Sequence, residues 1–227
     1  MCGIVGAIDL EDRRLFDRSL LHRMATALAH RGPDGEDSHV EPGLAMAARR
    51  LALVDVEHGD QPVSDERGLR WAVQNGELYD DASLRHDLLA RGHRLRTRCD
   101  TELWPHLHEE HGEAVFERAS GQFAVAIWDR ETRTLLLARD RFGIRPLYIA
   151  QADGWLLWAS EIKALQSYGI ELEFLPHRIG WYFNDKYALS NPAKQEETFF
   201  KNIYKFPSFT FFFCCLLCIV DRNLSDL

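Results

Sequence analysis

An α+β domain built on antiparallel sheet is the fold class the sequence predicts, and three observations carry that reading. Four short apolar runs, residues 123–128, 135–138, 147–150 and 155–158, follow one another at close spacing. Asp153-Gly154 between the last two is a hairpin signal, and strands joined by short turns pair antiparallel. Leucines at helical spacing occur elsewhere in the chain, so helices are expected to cover the faces of that sheet.

The elements follow in chain order. Ile4, Val5, Ala7 and Ile8 form an apolar run ended by Asp9, which reads as a buried strand. Ser19 is placed to cap a helix carrying Leu20, Leu21, Met24 and Leu28, and the breakers at 30–35 stop it. Residues 44–47 and 51–54 read as strands with Arg49 and Arg50 between them, and 59–62 as a loop. Leu69, Trp71 and Val73 alternate with Arg70, Ala72 and Gln74, the period of a half-buried strand that runs into Asn75-Gly76-Glu77. A helix over 81–91 turns Leu84, Leu88 and Leu89 inward and stops at Gly92. A short strand over 95–98, a helix carrying Leu103 and Leu107 up to Gly112, and a closing helix over 161–167 complete the series. The core is expected to be largely complete near Tyr168. That divides the chain into a domain over 2–168, a connector over 169–207 and an apolar tail over 208–227. The run 206–220 falls short of the roughly 20 apolar residues that span a bilayer. It reads as part of a further domain, a membrane-proximal tail or an extension foreign to the domain.

Size and charge exclude several classes. A chain of 227 residues suits one large domain, or one domain with part of a second. A hydrophobic fraction of 46% with 27% charged residues is that of an ordinary globular protein. The net charge of −8 leaves no basic excess for phosphate neutralisation, so no nucleic-acid partner is expected. Arg94, Arg96 and Arg98 read as a solvated strand edge. Five cysteines, three of them at 214, 215 and 218, form no disulfide framework and fit a reducing cytosol. No basic and apolar leader opens the chain, and a cytoplasmic location with no membrane association is expected. Cys215 and Cys218 have half the spacing of a zinc site without a second pair, so no metal ligands are assigned.

The chemistry depends on Cys2. Removal of Met1, expected beside so small a residue, leaves an α-amine and a thiol on one residue, titrating near about 8 and about 8.5. Nucleophile and base then stand together, the terminal amine taking over the work of a separate histidine. The plainer reading is a buried cysteine acting as a small hydrophobe. A thiol attacking a carboxamide also needs an oxyanion donor and a grip on the substrate's charged end. Asn75 and Gly76 offer a side-chain amide and a backbone N–H, though Asn-Gly is also a common turn. Arg50 and Asp100 offer a fork for an α-carboxylate and a partner for an α-ammonium, or are ordinary surface charges. His30 suits a loop hydrogen bond better than a base, and Arg139-Asp140-Arg141 suits a structural ion-pair corner.

Nine segments in order carry a family resemblance: Met1 to Gly6, His30 to Gly35, Arg50-Leu51, Gln61-Pro62, Asn75 to Tyr79, Asp100 to Glu102, Gly121 to Ala124, Arg139 to Tyr148 and Ala159 to Leu165. They resemble the glutaminase domain of glutamine-hydrolysing asparagine synthetases over about the first 168 residues. The resemblance implies a class II glutamine amidotransferase with the four-layer αββα sandwich of N-terminal nucleophile hydrolases. It implies that Cys2 forms a γ-glutamyl thioester, releasing ammonia and then glutamate, and that Asn75 and Gly76 form the oxyanion hole. Arg50, Leu51, Ala52, Leu53, Val54, Asn75, Gly76, Glu77 and Asp100 would hold L-glutamine. Ala48 and Ala52 depart from the His and Ser common around the Arg-Leu pair. The half-reaction needs no cofactor. ATP and Mg²⁺ enter only with the family's synthetase half, whose Ser-Gly-Gly pyrophosphate loop does not occur here. Residues 197–207 resemble the connector to that half, so asparagine synthesis would need a separate or missing synthetase domain. A homodimer is compatible with this reading. A truncated remnant serving as an interaction module, or an amidotransferase of another class II branch, is the alternative.

Overall fold

The computed structural model describes residues 2–11, 13–179, 196–208 and 210–215. The first apolar run becomes β1 (Gly3–Asp9), buried along its whole length. Helix α1 (Arg18–Thr26) follows, then β2 (Gly35–Glu41), β3 (Leu44–Arg50), β4 (Val63–Ser64) and β5 (Arg70–Leu78). Helices α2 (Asp81–Ala90), α3 (Leu103–His111) and α4 (Val115–Arg118) separate these from β6 (Gly121–Asp129) and β7 (Thr134–Arg139). Next come β8 (Tyr148–Ala152), β9 (Trp155–Ala159) and α5 (Ile162–Tyr168). Two further strands are β10 (Ile203–Lys205) and β11 (Thr210–Cys215).

The strands form two antiparallel sheets, ordered β10-β8-β9-β1-β3-β2 and β11-β7-β6-β5-β4. Side-chain alternation along β1 shows how the layers stack. Ile4 and Ile8 face the second sheet and pack with Met46, Val73, Trp128, Leu137 and Trp158. Val5 and Ala7 face the other way and pack with Leu21, Met24, Ala164 and Leu165 of α1 and α5. On the far side, Leu88, Leu103, Trp104 and Leu107 of α2 and α3 cover Val125, Ile127 and Leu136. Helix, sheet, sheet, helix is the expected four-layer αββα sandwich. Gly6 makes one close approach workable, since a Cβ there would stand 2.1 Å from the Trp158 ring.

Several local expectations are corrected. The cap of α1 is Asp17, whose carboxylate accepts from Ser19 N at 2.7 Å, so Ser19 lies inside the helix. Residues 35–41, too polar to read as a strand, form the outer strand β2 along β3. Residues 51–54 form no strand, because the Arg50 guanidinium holds the carbonyls of Val54, Asp55 and Val56. Residues 95–98 form none either, since the Glu102 carboxylate holds the N–H groups of Arg96 and Thr97. Leu89 is exposed, while Leu84 and Leu88 are inward as expected. The core does not close at Tyr168: Ile203 and Phe206 are buried within it, β10 pairs with β8, and β11 pairs with β7. Asp153 and Gly154 both have positive φ, as a tight hairpin turn requires. Arg139 and Asp140 hold their corner through many backbone groups. Arg139 donates to the carbonyls of Gly143, Arg145 and Phe206, and Asp140 accepts from the N–H groups of Phe142, Ile144 and Arg145. Cys218 and residues 180–195 lie outside the described residues. Among the described residues no helix is long and apolar enough to cross a membrane.

Candidate active site

Cys2 stands immediately before the first ladder residue of β1, and that strand start is pinned from across the sheet. Ile4 N donates to Ser160 Oγ at 3.0 Å, and Ser160 N donates to Ile4 O at 2.9 Å. The opposite sheet brings Asn75 up to Cys2 from the middle of β5. Oriented to satisfy its neighbours, the Asn75 amide donates from Nδ2 to Cys2 O at 2.9 Å and accepts from Arg31 Nη2 at 3.3 Å. Arg31 Nε donates to the same Cys2 carbonyl at 3.1 Å, and Nη1 donates to Glu161 at 2.8 Å. Burial alone would raise the Glu161 carboxyl, but hydrogen bonds from Arg31, His30 and Lys163 bring it down to about 2. His30 is therefore a loop hydrogen-bonder, as its surroundings in the sequence suggest.

Asn75 and Gly76 are strand residues, not the loop at a strand end that the sequence suggests. The ladder explains how such residues face a cavity. Tyr79 N donates to Ser120 O at 2.8 Å, so residues 79, 77 and 75 bond to β6 and the N–H groups of 74, 76 and 78 point to the other edge. On that edge Gln74 N donates to Gln61 Oε1 at 2.7 Å, and Leu78 N donates to Asp100 Oδ2 at 2.8 Å. The Gly76 N–H lies between them, on the wall of a cavity of about 290 Å³ that Cys2 also lines. A Cβ on Gly76 would stand 2.1 Å from Gln122 O, so the strands meet there only through glycine.

Asp100 reaches the cavity from the 3₁₀ turn Asp100–Glu102 that precedes α3. Its Oδ2 also accepts from Gln74 Nε2 at 2.8 Å, while Gln74 Oε1 accepts from the Trp104 indole. Burial raises the Asp100 carboxyl above its ordinary range against those hydrogen bonds. Arg50, Leu51, Leu53, Val54 and Glu77 line the same cavity. Arg50 donates to three loop carbonyls and pairs with Asp60 at 3.0 Å, so it shapes the wall formed by residues 51–60. Ala52 is not among the lining residues; its N–H is held by Asp34 Oδ2 at 2.9 Å. Sequence reasoning assigned no site role to Arg31, Gln61, Arg98 or Cys99, and Arg98, read there as part of a solvated strand edge, lies in no strand and lines the cavity. Arg31 belongs to a motif already noted. Arg98 and Cys99 precede Asp100 directly, and that adjacency was their one signal. The Cys99 thiol donates to Val54 O at 3.2 Å, and burial pushes it up to about 11.

A family profile described as a glutamine amidotransferase domain matches residues 1–214. Among curated proteins, asparagine synthetase [glutamine-hydrolyzing] 2 of Bacillus subtilis is 35% identical over 210 residues, 89% of this chain and 27% of that protein. Asparagine synthetase [glutamine-hydrolyzing] 3 of Arabidopsis thaliana is 39% identical over 166 residues, covering 73% of this chain and 28% of that one. The chain therefore spans little more than a quarter of the length of these relatives. Among solved structures, the glutamine phosphoribosylpyrophosphate amidotransferase of B. subtilis superposes with a TM-score of 0.60 at 22% identity, over 74% of this chain and 44% of that one. It shares the fold. With a cysteine second in the chain, a two-sheet sandwich behind it and this profile across nearly the whole sequence, the chain belongs to the class II glutamine amidotransferase family.

Proposed function

We propose that this chain hydrolyses L-glutamine to glutamate and ammonia through a thioester on Cys2. The observation that carries the proposal is the convergence of Cys2, the Gly76 N–H and Asp100 on one cavity, with the buried Asn75 amide 2.9 Å from the Cys2 carbonyl behind that wall. With Met1 removed, Cys2 Sγ attacks the glutamine carboxamide carbon and the thiol proton passes to the α-amine. The Gly76 N–H and the Asn75 amide stabilise the developing oxyanion. Collapse breaks the C–N bond, the amine's proton leaves with ammonia, and water then cleaves the thioester. Asp100, with a carboxylate fixed by Gln74 and Leu78, pairs the substrate's α-ammonium. Arg50 and Glu77 complete the grip, Arg50 by holding the wall of residues 51–60 in place.

In this proposal the ammonia serves ATP- and Mg²⁺-dependent amidation of aspartate on a synthetase domain, in the cytoplasm. The names of the relatives support that use. The test is ammonia release from glutamine by the purified chain beside a Cys2→Ala variant, with intact mass recording Met1. Equal release by both proteins would refute the mechanism, as would full activity in protein that retains Met1.

A further inference from the structure

Away from the cavity, three segments distant in sequence converge on one cluster of metal-ligating atoms. Glu66 lies in the turn between β4 and β5, His93 just past the end of α2, and His106 on α3. The Nδ1 atoms of His93 and His106 are 3.2 Å apart. Glu66 places Oε2 at 2.9 Å from His106 Nδ1 and Oε1 at 3.6 Å from His93 Nδ1. Two ligands of a tetrahedral zinc ion, each about 2.0–2.1 Å from the metal, stand about 3.3 Å apart. The three spacings bracket that value, and the donor atoms lie within 4.8 Å of one another.

The surroundings fit a ligand set. The imidazoles meet edge-on at 81°, so their Nδ1 atoms converge instead of stacking. His93 Nε2 contacts Glu110 Oε1 at 3.1 Å, and Glu110 is itself held by Arg91 at 2.7 Å. A carboxylate on the far nitrogen fixes the tautomer with the Nδ1 lone pair directed at the cluster, the usual outer partner of a metal-bound histidine. His106 is fully buried, and its Nε2 has no hydrogen-bond partner among the described residues. The other ring nitrogen, Nδ1, is the one turned towards Glu66 and His93 and therefore the one placed to ligate. Glu66 is exposed, which gives an ion a way in and leaves a fourth position to water.

We propose that Glu66, His93 and His106 bind one Zn²⁺-class ion that ties the β4–β5 turn to α2 and α3. Helix α3 begins where the turn carrying Asp100 ends, so the ion would brace the element beneath one wall of the cavity. The sequence reading, which assigned no metal ligands, is extended at this point. The test uses the full chain with Cys214, Cys215 and Cys218 changed to Ser, so that tail thiols do not compete. After chelation, Zn²⁺ is titrated with bound metal and thermal midpoint as readouts, and Co²⁺ is added for its visible spectrum. One ion per chain, tetrahedral Co²⁺ bands and a midpoint raised by about 5–10 °C at a hundredfold excess over Kd are expected. His93→Ala and Glu66→Gln, both at partly exposed positions, should abolish the shift, while Cys2→Ser should keep it. Shifts surviving in both cluster variants, or none in the parent chain, would overturn the assignment.

Discussion

Two thiols line one cavity, and their surroundings separate their chemistry. Burial holds Cys99 at about 11, so at pH 7.5 it is almost wholly protonated and serves as a donor to Val54 O. Iodoacetamide at that pH should therefore label Cys2 well before Cys99, with ammonia release lost in step with Cys2 labelling by peptide mapping. Preferential labelling of Cys99 would contradict this account. Arg31 acts through Cys2 rather than on substrate, joining the Cys2 carbonyl, Asn75 and Glu161. A lysine keeps the charge and loses the fork. Arg31→Lys should thus lower kcat for glutamine about 10- to 100-fold with KM little changed, a split read from steady-state kinetics. Glu161 adds a pH signature. Its folded pKa of about 2 lies below the roughly 4.3 of an unfolded Glu, so its stabilisation is complete above about pH 4.3 and is lost as pH falls towards 2. In Glu161→Gln the thermal midpoint should fall less steeply with acid across that window.

At the scale of elements, the sandwich was legible wherever a stretch buried its own side chains. The strands β6, β7, β8 and β9 and the helices α2, α3 and α5 lie where apolar spacing put them. The misreadings share one cause, the capture of backbone by a distant side chain. Residues 51–54 are as apolar as a strand, yet Leu53 is 77% exposed because Arg50 spends the local carbonyls. Glu102 does the same to the N–H groups of 96 and 97. No periodicity encodes such a bond, whereas β2 was missed because its polar residues follow no apolar pattern at all. Asn75-Gly76 looked like a turn for a related reason, since only the register with β6 reveals that its glycine is demanded by a neighbouring carbonyl. Gly76→Ala should cost about 1–3 kcal/mol by differential scanning calorimetry and abolish ammonia release. Retention of wild-type stability would mean that the two strands do not meet so closely.

For the whole molecule, the chain after Tyr168 is where composition misled most. Its aromatic and cysteine-rich run suggested a tail, but β11 covers the edge of β7, every residue of which is buried. An uncovered strand of that kind is a template for association. Ending the chain at Ser208 should lower the thermal midpoint and produce concentration-dependent aggregation by light scattering. Unchanged melting would show that β11 contributes nothing to the sandwich. The site itself was legible as a set of residue types: Cys2, Gly76 and Asp100 line one cavity, and Asn75 contacts the Cys2 carbonyl beside it. The Arg31 bridge was not, because it joins residues 2, 75 and 161, and only the stacked sheets bring those together.

The position of β1 also sets an order of events during synthesis. It lies between β3, which ends at Arg50, and β9, which begins at Trp155. One flank of the amino-terminal strand therefore stays bare until some hundred further residues have left the ribosome, about 5–20 s at common elongation rates. During that interval β1 is paired on one side only, and this is when an aminopeptidase is expected to act on the residue before Cys2. Nascent chains stalled near residue 120 should accordingly have already lost Met1, and stalled chains that keep it would place the trimming after folding.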